Sequence, residues 1–359
     1  MSANEEELAL LRDAARHWAT HEAPASPEHR RDPAAAARRW RSMVEMGWPG
    51  VAVPEAAGGA GMGFVGMGVL LHELGRELVD APLLASGLVG AQALAGQPQQ
   101  ADLLARVAAG TATLAVALNE RAHHAPEVIE TTAEPAAGGW RLHGIKRYVL
   151  NAAEADRLVV SARAGDGVAL FVIDRARCGI EPLDTIDGRS CAHVVLDGVD
   201  VPPAGRLHGG AEAVQALDTW ARLGMAAELL GAAERMLEIT VDYLKTREQF
   251  GRRIGSFQAL QHRAAQMYVA QEIARAAVEE AWAAADRGDA GLARMVLVAK
   301  QVAGDAAHLI SKEIVQMHGG IGMTSEHVAG RYLKWTRCSE QHHGTGAWLA
   351  RRYAELAGF

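Results

Sequence analysis

Two apolar stripes constrain this chain more than any other feature. Leu260, Ala264, Met267, Gln271, Ala274, Val278 and Trp282 recur at steps of three and four. Leu292, Val296, Ala299, Ala303, Ala306, Ile310, Ile314 and Met317 do the same. A step of three or four keeps side chains on one face of an α-helix. Each stripe therefore predicts a helix of roughly 25 to 30 residues, about 40 Å long at 1.5 Å per residue. Such helices bury their stripes against one another, and the short link between them predicts an antiparallel bundle. Ser256 is placed as the N-cap of the first.

The period changes upstream. Leu158–Ala162, Val168–Ile173 and His193–Leu196 are short β-type runs. Gly138-Gly139, Asp166-Gly167, Asp187-Gly188 and Asp197-Gly198 read as turns between strands. Val201-Pro202-Pro203 reads as the end of the sheet, because proline cannot donate to a ladder. Residues before about 112 read as helical, with a glycine-rich interruption from Gly58 to Gly68. The predicted order is α, β, α: a helical domain over 1–112, a β domain over 113–208 and a helical bundle over 209–359.

Composition narrows the function. At 359 residues the chain can bury two or three cores. A net charge of −7 argues against a nucleic-acid partner. No run of 18 apolar residues predicts a membrane span. The acidic Met1–Glu7 stretch shows no secretory signal. Cys178, Cys191 and Cys338 lack metal spacing and read as reduced thiols of a cytoplasmic protein. His123, His124 and His342 form no recognisable zinc pattern, so no metal is expected. Gly61-Met-Gly63-Phe-Val-Gly66 matches the dinucleotide fingerprint in letters only. It needs a strand before it and a βαβ unit around it, so these glycines read as a turn between helices.

Two patterns near the C-terminus carry chemistry. The first is Tyr243-Leu-Lys-Thr-Arg247-Glu-Gln-Phe250-Gly251, continuing through Ile254-Gly255-Ser256-Phe257-Gln258. The second is Gln316-Met-His318-Gly319-Gly320-Ile-Gly322. Together they resemble the flavin-binding signature of the acyl-CoA dehydrogenase family. Met46-Gly47-Trp48, Pro54–Gly61 and Glu73–Arg76 resemble its N-terminal helices and loop. Gly144-Ile-Lys146-Arg-Tyr148-Val-Leu-Asn151 resembles the segment whose aromatic residue lies against the flavin.

The resemblance implies the family fold: a helical domain, a β domain and a four-helix bundle. It implies FAD, an acyl-CoA substrate and an electron-transfer flavoprotein as acceptor. Arg247 would reach the flavin pyrophosphate, for which a guanidinium fork is suited. Phe250 would offer an apolar face and Gln258 an amide. Gln316, Gly319 and Gly320 would let backbone approach the cofactor. Tyr148 and Asn119 complete the implied cofactor set, and Arg222 is the implied substrate residue. The family's flavin is shared between subunits, so a homo-oligomer or a heterotetramer with a paralogous chain is expected.

The base departs from the family pattern. Its catalytic glutamate belongs in a Glu-Gly-Thr that here reads His343-Gly344-Thr345, or just before an arginine where Ala221-Arg222 stands. His343 is a structural histidine, or itself the base, or the alignment slips and Glu340 serves. The usual stretch of the β domain is replaced by Asn119–Pro126, and Leu150 stands for a threonine near the flavin. These losses resemble bacterial branches acting on steroid or dicarboxylyl chains, where paired subunits occur and one lacks the base. Three functions stay open. They are an acyl-CoA dehydrogenase or a subunit of one, a non-catalytic partner subunit, and a flavin oxidase or monooxygenase on the same scaffold. An all-helical protein unrelated to flavin is a more distant alternative. The absent carboxylates imply slow dehydrogenation of straight-chain acyl-CoAs by the isolated chain.

Overall fold

A computed structural model describes residues 5–26, 32–165 and 167–359. The helices are α1 (Glu5–Glu22), α2 (Pro33–Glu45), α3 (Gly63–Arg76), α4 (Ala91–Leu94), α5 (Ala101–Ala108), α6 (Gly210–Thr246), α7 (Gln258–Arg287), α8 (Leu292–His318), α9 (Ala329–Gln341) and α10 (Gly346–Ala357). The strands are β1 (Leu114–Ala117), β2 (Thr132–Ala136), β3 (Gly139–Leu150), β4 (Arg157–Ala164), β5 (Gly167–Asp174), β6 (Gly179–Pro182), β7 (Cys191–Val201), β8 (Arg206–Leu207), β9 (Glu248–Gln249) and β10 (Arg252–Arg253). Backbone contacts divide them into two compact units. One holds residues 32–67 and 80–221, the other 5–26, 68–79 and 222–359.

The first unit is built on a sheet ordered β6-β7-β3-β2-β4-β5-β8, with β1 pairing β4. β1 and β2 run parallel to β4, and the other pairs are antiparallel. Leu158, Val160, Ala162, Phe171, Val194 and Leu196 fill its core. The three predicted β runs lie inside β4, β5 and β7. Two readings change. Asp197-Gly198 is a bulge inside β7, not a turn: Leu142 pairs with Val199 while His143 pairs with Asp197, which leaves Gly198 over at φ 68°. That left-handed backbone suits glycine. The prolines at 202 and 203 end β7 but not the sheet, because β8 follows and pairs with Leu170 and Phe171 of β5. Of the predicted Asp166-Gly167 turn, Asp166 lies outside the described residues.

The second unit is helical. Both predicted stripes are real: Met267, Gln271, Ala274, Val278 and Trp282 are buried on α7, and Val296 through Met317 on α8. Glycines let α6 and α3 cross closely. A Cβ at Gly231 on α6 would meet the His72 carbonyl of α3 at 2.0 Å, and one at Gly75 would meet Glu228 O at 2.3 Å. Ser256 does not cap α7. It sits in a 3-10 turn with its hydroxyl donating to Arg253 O, and Phe257 precedes the helix without a side-chain cap. The Gly61–Gly66 stretch leads from a short turn into α3, with no strand before it among the described residues.

Candidate active site

The first flavin-type pattern begins where α6 ends. Arg247 follows Thr246, its N–H donates to Tyr243 O, and its own carbonyl accepts from Ile254 N. The chain then turns through the β9–β10 hairpin. Phe250 and Gly251 form its apex at φ 54° and 75°. Two successive left-handed residues match the twist of a tight hairpin. The turn drives Phe250 outward, leaving it 91% exposed. The Arg252 guanidinium lies 4.0 Å over the Phe257 ring and holds the hairpin to the start of α7. Arg247 and Gln258 are exposed.

The second pattern closes α8. Gln316, Gly319 and Gly320 are exposed. Gly319 has φ 64° and ψ −139°, a backbone open only to glycine. A Cβ added at Gly319 or Gly320 would meet nothing within 4 Å. Packing within the chain therefore does not explain Gly320. The two patterns touch: the Tyr243 ring stacks on His318 at 4.3 Å, and the Tyr243 hydroxyl donates to His318 O. His327 lies on His318 at 4.3 Å. Burial holds both histidines below the usual imidazole range, with the Ile314 carbonyl opposing at His318 and His327 repelling its charge. His318 Nδ1 lies 2.7 Å from Ile314 O and so donates, while its Nε2 is buried without a hydrogen-bond partner. An exposed arginine, an outward aromatic face, two amides and an uncovered glycine pair fit a pyrophosphate-bearing aromatic cofactor such as FAD.

In the β unit, Tyr148 sits on a bulge of β3 between the pairings of Lys146 and Val149. Its φ is 55°, and that of Asn151 is 56°. Strained non-glycine backbone concentrates at functional sites. The Tyr148 N–H donates to His193 Nδ1 at 3.2 Å, the rings meet edge-on at 5.0 Å, and Tyr148 is 41% exposed. Burial and nearby Arg147 keep His193 below the usual imidazole range. Leu150 is half-buried and pairs with Cys191.

Asn119 turns its side chain inward. Its Oδ1 accepts from Ala125 N at 3.0 Å and its Nδ2 donates to Arg121 O at 2.7 Å. It thus shapes the 119–125 loop. Next to it, the Glu120 carboxylate accepts from Glu130 N, Thr131 N and the fully buried Lys146, whose Nζ lies at 2.5 Å. Burial pulls the Lys146 ammonium down to about 8 against the pull of Glu120. Burial opposes the Glu120 charge, yet Lys146 and the N–H donors hold its carboxyl below the usual range.

Neither expected base position holds a carboxylate. Ala221 is buried on α6. Arg222 is buried too; its Nε donates to His343 O at 2.9 Å and its guanidinium lies 4.5 Å over the Trp348 ring. Arg222 thus pins the turn of His343 (φ 58°) and Gly344 (φ 112°) ahead of α10. Glu340 is engaged elsewhere on α9, accepting from Arg337 at 3.1 Å with His308 Nδ1 at 3.0 Å. Sequence reasoning missed a buried pair: His124 Nε2 stands 3.1 Å from Asp218 Oδ2. Ninety-four positions separate the two residues, and no local pattern joins them.

The helical unit thus carries an outward edge suited to a flavin, and the β unit before it in sequence carries a strained aromatic. The acyl-CoA dehydrogenase N-terminal domain matches residues 5–111 and the C-terminal domain of the same family residues 208–357. The chain belongs to the acyl-CoA dehydrogenase family. It is 32% identical over 356 residues to acyl-CoA dehydrogenase FadE27 of Mycobacterium tuberculosis, covering 94% of each chain. It is 34% identical over 304 residues to acyl-CoA dehydrogenase IpdE2 of the same organism, covering 84% of this chain and 81% of that one. Among solved structures, a variant of the Tcur3481–Tcur3483 steroid ACAD superposes with TM-score 0.89 at 35% identity over 98% of both chains. The ChsE4–ChsE5 complex from Mycobacterium tuberculosis gives 0.90 at 29% identity over 99% of both.

Proposed function

We propose that this chain is an FAD-dependent subunit of an acyl-CoA dehydrogenase, introducing an α,β double bond into an acyl-CoA thioester. The observation that carries the proposal is the joined flavin edge. Arg247, Phe250, Gln258, Gln316, Gly319 and Gly320 all face solvent, and the Tyr243–His318 stack ties their two segments together. Residues that leave their own chain uncovered suit a cofactor seated mostly on another chain. The active form is therefore a homo-oligomer or a heterotetramer with a paralogue. The division of the chain into 1–112, 113–208 and 209–359 belongs to the same proposal. So do an electron-transfer flavoprotein as acceptor and a cytoplasmic setting. The latter is supported by Cys178, Cys191 and Cys338, which form no disulfide.

Bound FAD supplies the acceptor for a hydride leaving the β-carbon. The chain's own residues do the rest. Arg247 binds the pyrophosphate by charge-assisted hydrogen bonds. Gly319 and Gly320 admit it to exposed backbone. Tyr148, oriented by His193, presents an aromatic face. Arg222 orders the His343–Thr345 turn. A steroid-type or other bulky acyl chain is the substrate class favoured by the similarity to steroid ACAD chains.

The test is purification of the chain alone and with a paralogous chain. The expected result is a yellow oligomer that releases FAD on denaturation and bleaches anaerobically with an acyl-CoA. A colourless protein in both preparations, or a flavin that no acyl-CoA reduces, would overturn the proposal. Bleaching only in the two-chain preparation would make this chain the partner subunit.

A further inference from the structure

His193 stands where β3 leaves its regular pairing with β7. Lys146 pairs with Val194 and Val149 with Ala192, so Arg147 and Tyr148 together oppose His193. Two residues facing one make a β-bulge, and bulges re-aim a side chain. This one turns Tyr148 to φ 55°, a left-handed backbone that a bulky residue rarely adopts. Such a conformation persists only where its surroundings impose it. The neighbouring contacts do so here. The Arg147 N–H donates to Asn119 O at 2.8 Å, outside the β3–β7 ladder. Three residues beyond Tyr148, the Asn151 N–H donates to Ser190 O at 2.9 Å. Between them the Tyr148 N–H donates to a side chain, His193 Nδ1, at 3.2 Å.

That contact constrains the imidazole. A nitrogen that accepts a hydrogen bond carries a lone pair, so the proton of the neutral ring sits on Nε2. In the imidazolium both ring nitrogens are donors, and Nδ1–H would then face the Tyr148 N–H. An apolar side chain could pack at this place equally well, but it would leave the amide of the bulge without this acceptor. The charged groups around the ring divide. Arg147 on β3 disfavours a second positive charge, while Glu181, which pairs with His193 from β6, favours one. Burial outweighs both and, with Arg147, holds the imidazole below its ordinary range.

Resting on the FAD reading above, we propose that His193 is a positioning residue whose neutral imidazole holds the flavin-facing ring of Tyr148, so that protonation of His193 releases the bulge and loosens FAD. The two rings meet edge-on at 5.0 Å, and Tyr148 is 41% exposed, which leaves its ring open to a cofactor. Once Nδ1 carries a proton, the left-handed backbone loses its acceptor and faces a second donor. FAD affinity should therefore fall as pH drops below 6.5, the ordinary imidazole value.

The flavin-loaded oligomer is dialysed against graded FAD at fixed pH values from 7.5 to 5 to obtain the dissociation constant. Wild type is compared with His193→Asn and His193→Ala. The asparagine Oδ1 takes the place of Nδ1 as acceptor and does not titrate. His318 and His327, on the other cofactor segment, titrate in all three proteins, so the difference between wild type and His193→Asn isolates His193. The two should bind FAD alike at pH 7.5, and at pH 5 wild type should bind about 3- to 10-fold more weakly. His193→Ala should be weaker than both at pH 7.5 by a similar factor. Labelling with 15N-tyrosine gives five amide signals, and Tyr148→Phe identifies one of them. That signal should shift with a midpoint below pH 6.5 in wild type and stay fixed in His193→Asn. Parallel loss of FAD in wild type and His193→Asn overturns the proposal. So does a Tyr148 amide that does not titrate, or a His193→Ala that binds FAD like wild type at pH 7.5. A wild type that binds no FAD at any pH strikes the flavin reading itself, and the role of His193 falls with it.

Discussion

Glu73 offers a sharp test of what holds the helical unit together. It is fully buried on α3, where its carboxylate accepts two hydrogen bonds from Arg16 at 2.9 Å, with His72 at 3.2 Å and Arg76 at 3.5 Å. Burial alone would raise its pKa, but hydrogen bonds and charge from His72 and Arg16 reverse that and hold it at about 2, against 4.5 for a free glutamate. The folded state thus releases this proton more readily than the unfolded state. At about 1.4 kcal/mol per unit, the depression contributes about 3 kcal/mol. That contribution is complete above the unfolded value of 4.5 and is lost as pH falls through about 2. Glu73→Gln keeps the shape and one acceptor oxygen but removes the charge. At pH 7 the variant should be less stable than wild type by about 3 kcal/mol. The gap should narrow steadily below pH 4.5. Urea unfolding of both proteins at fixed concentration across pH 7 to 3 measures it. A gap below about 1 kcal/mol at pH 7, or one that does not change over this range, would refute the argument.

Other outcomes follow from the same geometry. Although burial opposes its charge, Glu234 and Glu73 raise the His72 pKa above 6.5; its stabilisation should be complete below 6.5 and fade as pH rises through the raised value, so the stability gap to His72→Gln should shrink in mild alkali. Arg247→Ala should weaken FAD retention by about 1.5–3 kcal/mol in equilibrium dialysis, without changing the melting temperature. Gly320→Ala should fold normally, since its Cβ meets no neighbour, yet retain less flavin; Gly319→Ala should also lose about 1–3 kcal/mol of stability, because alanine resists its backbone conformation. Glu340→Gln breaks the contacts with Arg337 and His308 and should lower the melting temperature modestly; loss of flavin reduction by acyl-CoA in a variant that keeps its fold and its flavin would make Glu340 the base.

Much of the architecture is written in local periodicity. The α7 and α8 stripes are legible because each is a single helix whose buried positions recur at steps of three and four. β4 and β5 are legible because they are continuous apolar runs. Short elements escape: β1, β6 and β8 have two to four residues each and draw their pairing from neighbours. Asp197-Gly198 looks like a hairpin turn and is a bulge, because the dipeptide specifies a left-handed glycine but not what the strands beside it do. The candidate site divides in the same way. Arg247 and Gly319 are visible as motif letters. The contact that unites their motifs, Tyr243 on His318, spans 75 positions and is visible only in three dimensions. The His124–Asp218 pair has no sequence signal at all, since a lone histidine and a lone aspartate occur anywhere.

The two halves of the site have departed from the family pattern unequally, and this points to how the chain works. The helical-unit positions that the proposed function assigns to the cofactor carry suitable residues, and that edge is exposed rather than buried in its own chain. Phe250 stands at the apex of that edge, 91% exposed. The positions that differ from the family pattern are Ala221 and His343, where its acid would stand, Leu150, where a threonine near the flavin would stand, and the 119–126 loop. A chain relieved of binding any flavin would have no reason to hold Gly320 open or to present Arg247 and Phe250 outward. Under the proposed function, a cofactor edge that fits the family pattern together with base positions that do not is what an enzyme shows when it keeps its oxidant and changes its substrate.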